Sequence, residues 1–483
     1  MNTLLVFAAM VAAAQEPAPE LEPPAPVETI APSYLLPPGP KGELDEARLA
    51  ALMSAYVQID TQNPPSPGSF SDAGGRPEWV DFIALNWLEP LGLDHEMRAT
   101  NLVVRIESDD SRPPIIWLSH ADVVPVDEDD LDDWTHPPFD GVVADGQVFG
   151  RGVLDNKGST VMQLEALRVL LESGLKPSRD LLLVVTPDEE AVKPQNGAGL
   201  LVASELEALG SPTTVLDEGG YILPDFFEGQ IVATVAVAEK TYATMELRVR
   251  GPGGHSSMPA EGYPTAVLSQ ALARIADWET KRTITPEMQE SLKRLGASKG
   301  GATGFLMQHP RLFKPLLLSS LGGSPAGNAI TRNTIAITIL DAGVKDNVIP
   351  GEASATVNAR LLPGQSVDAF IADLKGVIDD DRVEVSLVQE PTEAPAASFE
   401  TPFFGTISRV IEENVPGAVV IPNVNPGTQD SRFFAAAGLD CYRFIPVVVD
   451  RAGRESIHGN DEKLPTAELL RGATIYRALL TEM

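Results

Sequence analysis

The stretch Leu181-Leu182-Leu183-Val184-Val185-Thr186-Pro187-Asp188-Glu189-Glu190 joins an unbroken apolar run to three consecutive carboxylates. An apolar run without alternation is the mark of a strand buried on both faces. Three adjacent acids against such a run repel one another unless a cation or a shared proton offsets the charge. The same arrangement recurs on either side. Residues 114–118 (Pro-Ile-Ile-Trp-Leu) lead into His120 and Asp122, and residues 213–216 (Thr-Thr-Val-Leu) lead into Asp217 and Glu218. Helical stretches at 159–173 and 196–209 lie between. β-rich runs alternating with helices indicate a parallel-rich sheet with helices on both faces, an α/β fold. In such sheets sites form beyond the carboxyl ends of the strands, where each acidic cluster sits.

Working outward, the pattern changes after residue 238. Residues 241–249 alternate through Met245, Leu247 and Val249, as a half-exposed strand does. A Gly-rich loop at 251–259 precedes an amphipathic helix at 263–278. Two further strands (333–340, 352–361), a helix (367–378) and a last strand (382–388) complete a strand–helix–strand–strand–helix–strand order. That order predicts a separate, ferredoxin-like α+β domain, interrupted by a long, partly helical insertion at about 281–326. Apolar runs at 418–421 and 439–449 return the chain to the first sheet. The expected division is a catalytic domain of 42–238 and 392–483, with the smaller domain, 239–391, inserted in it.

Composition bounds the function. At 483 residues, 43% hydrophobic and 22% charged, the chain is an ordinary globular protein large enough for two cores. Its formal charge of −32 argues against nucleic-acid or anionic-membrane partners. Residues 1–14 read as a secretory signal: a short apolar run before Ala12-Ala13-Ala14, though without a basic start. The run falls short of the roughly 20 residues a membrane span needs. A secreted or periplasmic protein is expected. Residues 15–41 form a Pro-rich linker, with folded sequence from near Gly42. The single cysteine, Cys441, lies in an apolar stretch and reads as a buried thiol.

Six histidines occur, which makes their settings informative. His120 and Asp122 alternate on a strand end, so Asp122 can orient the imidazole, although a structural His–Asp pair would look the same. Asp155 sits among Gly150, Gly152 and Gly158 just before a helix, in a tight turn fit for a buried ion or for an ordinary helix start. Glu189 and Glu190 face opposite ways in an extended chain, so one can bind metal while the other acts as a general base. His120, Asp155, Glu190, Asp217 and His458 together offer imidazole and carboxylate ligands. That mixture suits zinc, with cobalt or manganese as alternatives. Two divalent ions balance three carboxylates with one positive charge to spare, whereas one ion leaves them undercompensated.

The motifs SHADVVP (119–125), GRGVLDNKG (150–158), TPDEE (186–190), LDEGG (216–220), GGHSSMP (253–259) and IHG (457–459) occur in this order. In them the chain resembles the di-zinc metallopeptidases that include carboxypeptidase S, glutamate carboxypeptidase, aminoacylase and succinyl-diaminopimelate desuccinylase. Within that family it is most similar to carboxypeptidase S and the secreted N-acyl-amino-acid hydrolases. The resemblance implies that His120 and Asp217 hold one zinc and Glu190 and His458 the other, with Asp155 bridging. It implies Glu189 as general base, Asp122 behind His120, and a cis peptide after Asp155. It also implies that the inserted domain is a lid and a dimerisation surface. Arg360 would pair with the substrate carboxylate, His255 would stabilise an oxyanion across a dimer interface, and Asn347 and Gly427 would line the substrate. Relatives follow the double glutamate with Val-Gly-Gly; here residues 191–197 read Ala-Val-Lys-Pro-Gln-Asn-Gly, a rebuilt helix start. His95, His136 and His309 fall outside the motifs and read as surface or structural residues. The expected reaction is cleavage of an amide beside a free carboxylate, as a carboxypeptidase on short peptides. The alternatives are an N-acyl-amino-acid amidohydrolase and a non-catalytic binding member.

Overall fold

The computed structural model describes residues 35–63, 77–191, 197–227 and 229–483. The secretory signal, most of the linker, and residues 192–196 of the rebuilt helix start lie outside the described residues. The chain divides into two compact units. The larger comprises residues 35–237, 397–423 and 429–483, and the smaller 238–396 with 424–428. The segment 424–428, which the sequence reading leaves with the large domain, therefore groups with the inserted one. There Lys240 N donates to Asn425 O at 2.9 Å, and Arg360 donates to Thr428. The expected linker also ends earlier than Gly42. Leu36 N donates to Asn86 Oδ1 at 3.0 Å, and Arg168 caps the Pro40 carbonyl at 3.2 Å.

The larger unit opens with helix α1 (Glu46–Val57) and strands β1 (His95–Arg98), β2 (Asn101–Ile106) and β3 (Ile115–His120). Helix α2 (Lys157–Glu172), β4 (Leu181–Thr186), β5 (Thr214–Asp217), β6 (Ile222–Phe227) and β7 (Gln230–Glu239) follow. In the smaller unit come β8 (Thr241–Arg250), β9 (Gly254–His255) and helix α3 (Pro264–Ala276). Helices α4 (Pro286–Lys299), α5 (Gly301–Gln308) and α6 (Lys314–Leu321) form the insertion. Then come β10 (Thr334–Ala342), β11 (Val348–Ile349), β12 (Glu352–Leu361), α7 (Val367–Ile378) and β13 (Val383–Leu387). The chain returns through β14 (Val419–Asn425) and β15 (Asp440–Arg443), and ends in α8 (Thr466–Glu482).

The main sheet has the order β1-β2-β4-β3-β5-β15-β7-β14, with β6 beside β7. Its centre, β4-β3-β5-β15, is parallel. Every residue of β3 and β4 is buried, as the unbroken apolar runs require of strands covered on both faces. Register sets the site: His120 lies opposite Thr186, so both acidic turns leave the sheet at the same edge.

Helix α2 is buried over most of its length, and α1 and α8 pack on it. Glu165 of α2 is fully buried. It accepts from Arg48 Nε at 3.1 Å, Trp87 Nε1 at 2.8 Å, and Arg168 Nε and Nη2 at 3.0 and 2.9 Å. The carboxylate thus ties α1, α2 and the 78–91 helical segment together.

In the smaller unit the antiparallel order is β10-β12-β8-β13, with α3 and α7 on one face. β8 and β12 alternate buried and half-buried residues, as the period-2 pattern predicts. This is the split βαβ layout expected from the order of elements.

Replacing Glu165 would leave the buried Arg48 guanidinium without its carboxylate and Arg168 with Glu172 alone. Glu165→Ala is expected to destabilise the larger unit by about 3–5 kcal/mol, measured by urea unfolding. A loss below about 1 kcal/mol would contradict this reading.

Candidate active site

Five polar turns meet beyond the carboxyl edge of the parallel strands. After β3, His120 is turned inward and its Nδ1 lies 2.9 Å from Asp122 O and 3.3 Å from Asp122 Oδ1. Acceptors at Nδ1 fix a proton there, and Nε2 faces Asp155 Oδ1, at 3.0 Å, and Glu218 Oε1, at 3.4 Å. The other oxygen of Asp155 faces His458 Nε2 at 3.1 Å, and the same nitrogen lies 3.1 Å from Glu190 Oε1. Asp155 therefore has one imidazole on each oxygen, and each imidazole has a second carboxylate of its own.

The turns are held from behind by two buried carboxylates. Asp122, fully buried, accepts Glu189 N and Glu190 N at 3.1 and 3.0 Å and Asn63 Nδ2 at 3.0 Å. It thereby positions both glutamates as well as His120. Glu462, also fully buried, accepts from Gly152 N, Leu154 N and Asp155 N at 2.9, 2.8 and 3.2 Å. Arg151 donates to Glu462 and to Gly459 O, linking the Asp155 turn to the His458 turn. Gly152 has φ +85°, and a Cβ there would lie 2.4 Å from Val123 Cγ1, so the turn needs glycine. The Asp155–Asn156 peptide is cis, and His458 takes the left-handed φ of +61°, a conformation costly for a non-glycine residue and frequent at functional sites.

Asp217, expected as a ligand, does not join this cluster. It accepts from Ser431 N at 3.0 Å, while the next residue, Glu218, turns to His120 and accepts from Asn156 Nδ2 at 2.5 Å. Neighbouring residues of an extended chain face opposite ways, and register puts the second of the pair inward. Glu462 and Asn63 were not singled out in the sequence either. Glu462 lies four residues after His458, a spacing that carries no local signal for either role.

Electrostatics mark the cluster as frustrated without a cation. Burial works against charge on His120, but Glu218, Asp122 and Asp155 outweigh it and raise its pKa well above that of a free imidazole. Hydrogen bonds to Asp155 and Glu190 raise His458 to about 10. Burial pushes Glu218 up to about 8, with Asp155 adding to it. It also raises Glu189 well above the usual carboxylate range. Burial would raise Asp155 too, but His120 and His458 hold it low.

The donor set fits divalent metal. His120, Asp155 and Glu190, and separately His120, Glu189 and Glu218, place ligand atoms within 4.8 Å of one another. Donors about 3 Å apart around a shared point are what a small cation with imidazole and carboxylate ligands collects.

In the smaller unit, Arg360 of β12 donates to Thr428 Oγ1 at 2.7 Å and to Asn358 Oδ1 at 3.3 Å, and lies 4.3 Å over the Tyr242 ring. Gly427 N donates to Asn425 Oδ1 at 3.2 Å in the same region. The exposed His255, on β9, accepts from Ser257 N at 3.1 Å, and Asn347 O accepts from Ser256 N at 3.2 Å. The unit thus groups Arg360 with Gly427, and His255 with Asn347.

Known proteins resemble this chain in sequence and in fold. Residues 116–482 match the model of Peptidase family M20/M25/M40. The chain belongs to that family. Among M20 relatives it is 34% identical over 363 residues to a probable carboxypeptidase S-like 2 of Dictyostelium discoideum, covering 74% of this chain and 69% of that one. It is 35% identical over 367 residues to the N-fatty-acyl-amino acid synthase/hydrolase PM20D1 of Xenopus tropicalis, covering 74% and 70%. Its fold matches an M20 family metallo-carboxypeptidase, Sso-CP2, from Sulfolobus solfataricus, with a TM-score of 0.67 and 17% identity over 91% of this chain and 99% of that one. The chain is accordingly a metal-dependent peptidase or amidohydrolase with the expected α/β fold.

Two outcomes follow. Glu218→Ala lowers bound zinc, measured by elemental analysis, more than Asp217→Asn does; the reverse order would restore Asp217 as the ligand. Because His120, His458 and Glu218 hold protons that metal must displace, apparent metal affinity rises between about pH 6 and pH 8, with proton release seen by calorimetry. A flat affinity over that range would contradict the assignment.

Proposed function

We propose that the protein is a di-metal hydrolase cleaving the amide bond beside a free carboxylate, acting as a carboxypeptidase on short peptides. The observation that carries this is Asp155, whose two oxygens each face a different imidazole with a separate carboxylate. His120, Asp155 and Glu218 would hold one ion, and His458, Asp155 and Glu190 the other. Zinc suits this donor set, with cobalt or manganese as substitutes. Bound there, the ions would polarise the amide carbonyl and bring the pKa of a water toward neutrality.

The chain's own residues do the rest. Glu189 is buried beside His120 and Glu218, and it takes the proton of the attacking water and returns it to the leaving amine. Asp122 keeps the His120 ring and the Glu189 backbone in place. Arg360 receives the substrate carboxylate, with its guanidinium plane braced by Tyr242 and Thr428. His255 serves the developing oxyanion, and Asn347 and Gly427 line the substrate.

A second reading, hydrolysis of N-acyl amino acids, is supported by the likeness to the N-fatty-acyl-amino acid enzyme. The bond cleaved and the carboxylate beside it are the same in both. Residues 1–14 support export as a secretory signal, and no helix among the described residues is long and apolar enough to cross a membrane. The edge strand β10 leaves Ile339 and Leu340 exposed, which supports a homodimer through the smaller unit.

Glu189→Ala is expected to lower kcat by at least about a thousandfold while bound zinc is unchanged. Near-normal turnover would remove Glu189 from its role. Arg360→Ala raises KM for blocked dipeptides and for fatty-acyl amino acids but not for substrates amidated at the carboxylate; an equal effect on all three would contradict carboxylate capture. Comparing the first two substrates on the wild-type enzyme decides between the two readings.

A further inference from the structure

The chain-wide charge conceals a strong local contrast. Residues 281–332, the insertion and its flanks, carry eight Lys or Arg and two Asp or Glu. Of the chain's 36 basic and 68 acidic residues, 28 and 66 lie elsewhere. The insertion is thus a basic island of net +6 on a chain that is otherwise −38. Neither of its two acids offsets the exposed cations at its tip. Glu287 is buried, and Glu290 pairs with Lys293 and Arg294 of its own helix.

The island also exposes apolar side chains. Helices α4 and α5 pack closely: a Cβ on Gly304 would lie 2.4 Å from Gly296 O. The turn from α5 into α6 then reads Arg311-Leu312-Phe313-Lys314-Pro315-Leu316. Leu312 is 70% exposed, Phe305 53% and Leu316 38%. Phe305 stands 6.1 Å from Phe313 and packs against the tilted His309 ring at 4.3 Å, so one aromatic group lies beside the tip. Arg311 and Lys314 flank Leu312, and both are exposed. Leu317 and Met307, by contrast, are buried.

We propose that the tip of this insertion is a peripheral docking surface for an anionic lipid bilayer. Exposed apolar side chains between cations match an interface where acyl chains lie beneath negative headgroups. Exposed charges act over roughly 10 Å at about 0.1 M salt, so the local sign of charge at the tip decides what it attracts. The expectation from net charge alone averages over the island.

The test is flotation of the full chain with vesicles of phosphatidylcholine alone, or of phosphatidylcholine mixed with phosphatidylglycerol. The protein should float with the mixed vesicles at low salt, be released by added salt, and remain in the bottom fraction with pure phosphatidylcholine. R311E/K314E should bind at least about tenfold more weakly. F305S/L312S should also bind more weakly, with the salt dependence kept. Both variants should retain wild-type turnover of a soluble dipeptide, since none of these residues belongs to the site. No flotation with mixed vesicles, or equal flotation by R311E/K314E, would overturn the proposal. So would light scattering showing that the wild type self-associates through this tip and that F305S/L312S restores the monomer.

Discussion

Everything at the sheet edge depends on one electrostatic constraint: carboxylates buried together with too little positive charge to balance them. Asp122, Asp155, Glu189, Glu190 and Glu218 converge beyond strands whose own residues exclude water. Only two imidazoles face them. Burying like charges at such spacing is costly unless protons or cations compensate. The protein without metal answers with protons, which is why His458, His120, Glu189 and Glu218 all hold theirs more tightly than usual. Divalent ions would replace those protons and convert the frustration into affinity.

Such a cluster persists only if its backbone cannot relax away. Two carboxylates that face no substrate provide this. Asp122 holds the amides of Glu189 and Glu190, while Glu462 holds three amides of the Asp155 turn and, through Arg151, the His458 turn. Each uses its charge on several N–H donors at once, the arrangement in which a buried carboxylate is tolerated. The parallel sheet supplies the frame, since register alone brings the turns after β3 and β4 to one edge.

Much of this was legible in the sequence for a physical reason. Strands covered on both faces must be continuously apolar, so residues 114–118 and 181–185 announced a parallel sheet. A charged cluster after such a run had to be either solvated or functional. What was not legible depends on register and distance in space. Asp217 and Glu218 are adjacent acids with the same chemistry, and only the twist and end of β5 decide that Glu218 faces His120. Glu462 gave no periodic or compositional signal because its partners are about 310 residues away in sequence. The grouping of 424–428 with the smaller unit comes from contacts between segments distant in sequence, among them the Lys240–Asn425 and Arg360–Thr428 hydrogen bonds.

The proposed chemistry stands or falls on Asp155 being shared between two metal sites of different composition. Anomalous scattering from crystals of zinc-loaded protein would locate them. Two peaks per chain are expected, one among His120, Asp155 and Glu218 and one among His458, Asp155 and Glu190. A single peak, or a peak against Asp217 with none at Glu218, would contradict it.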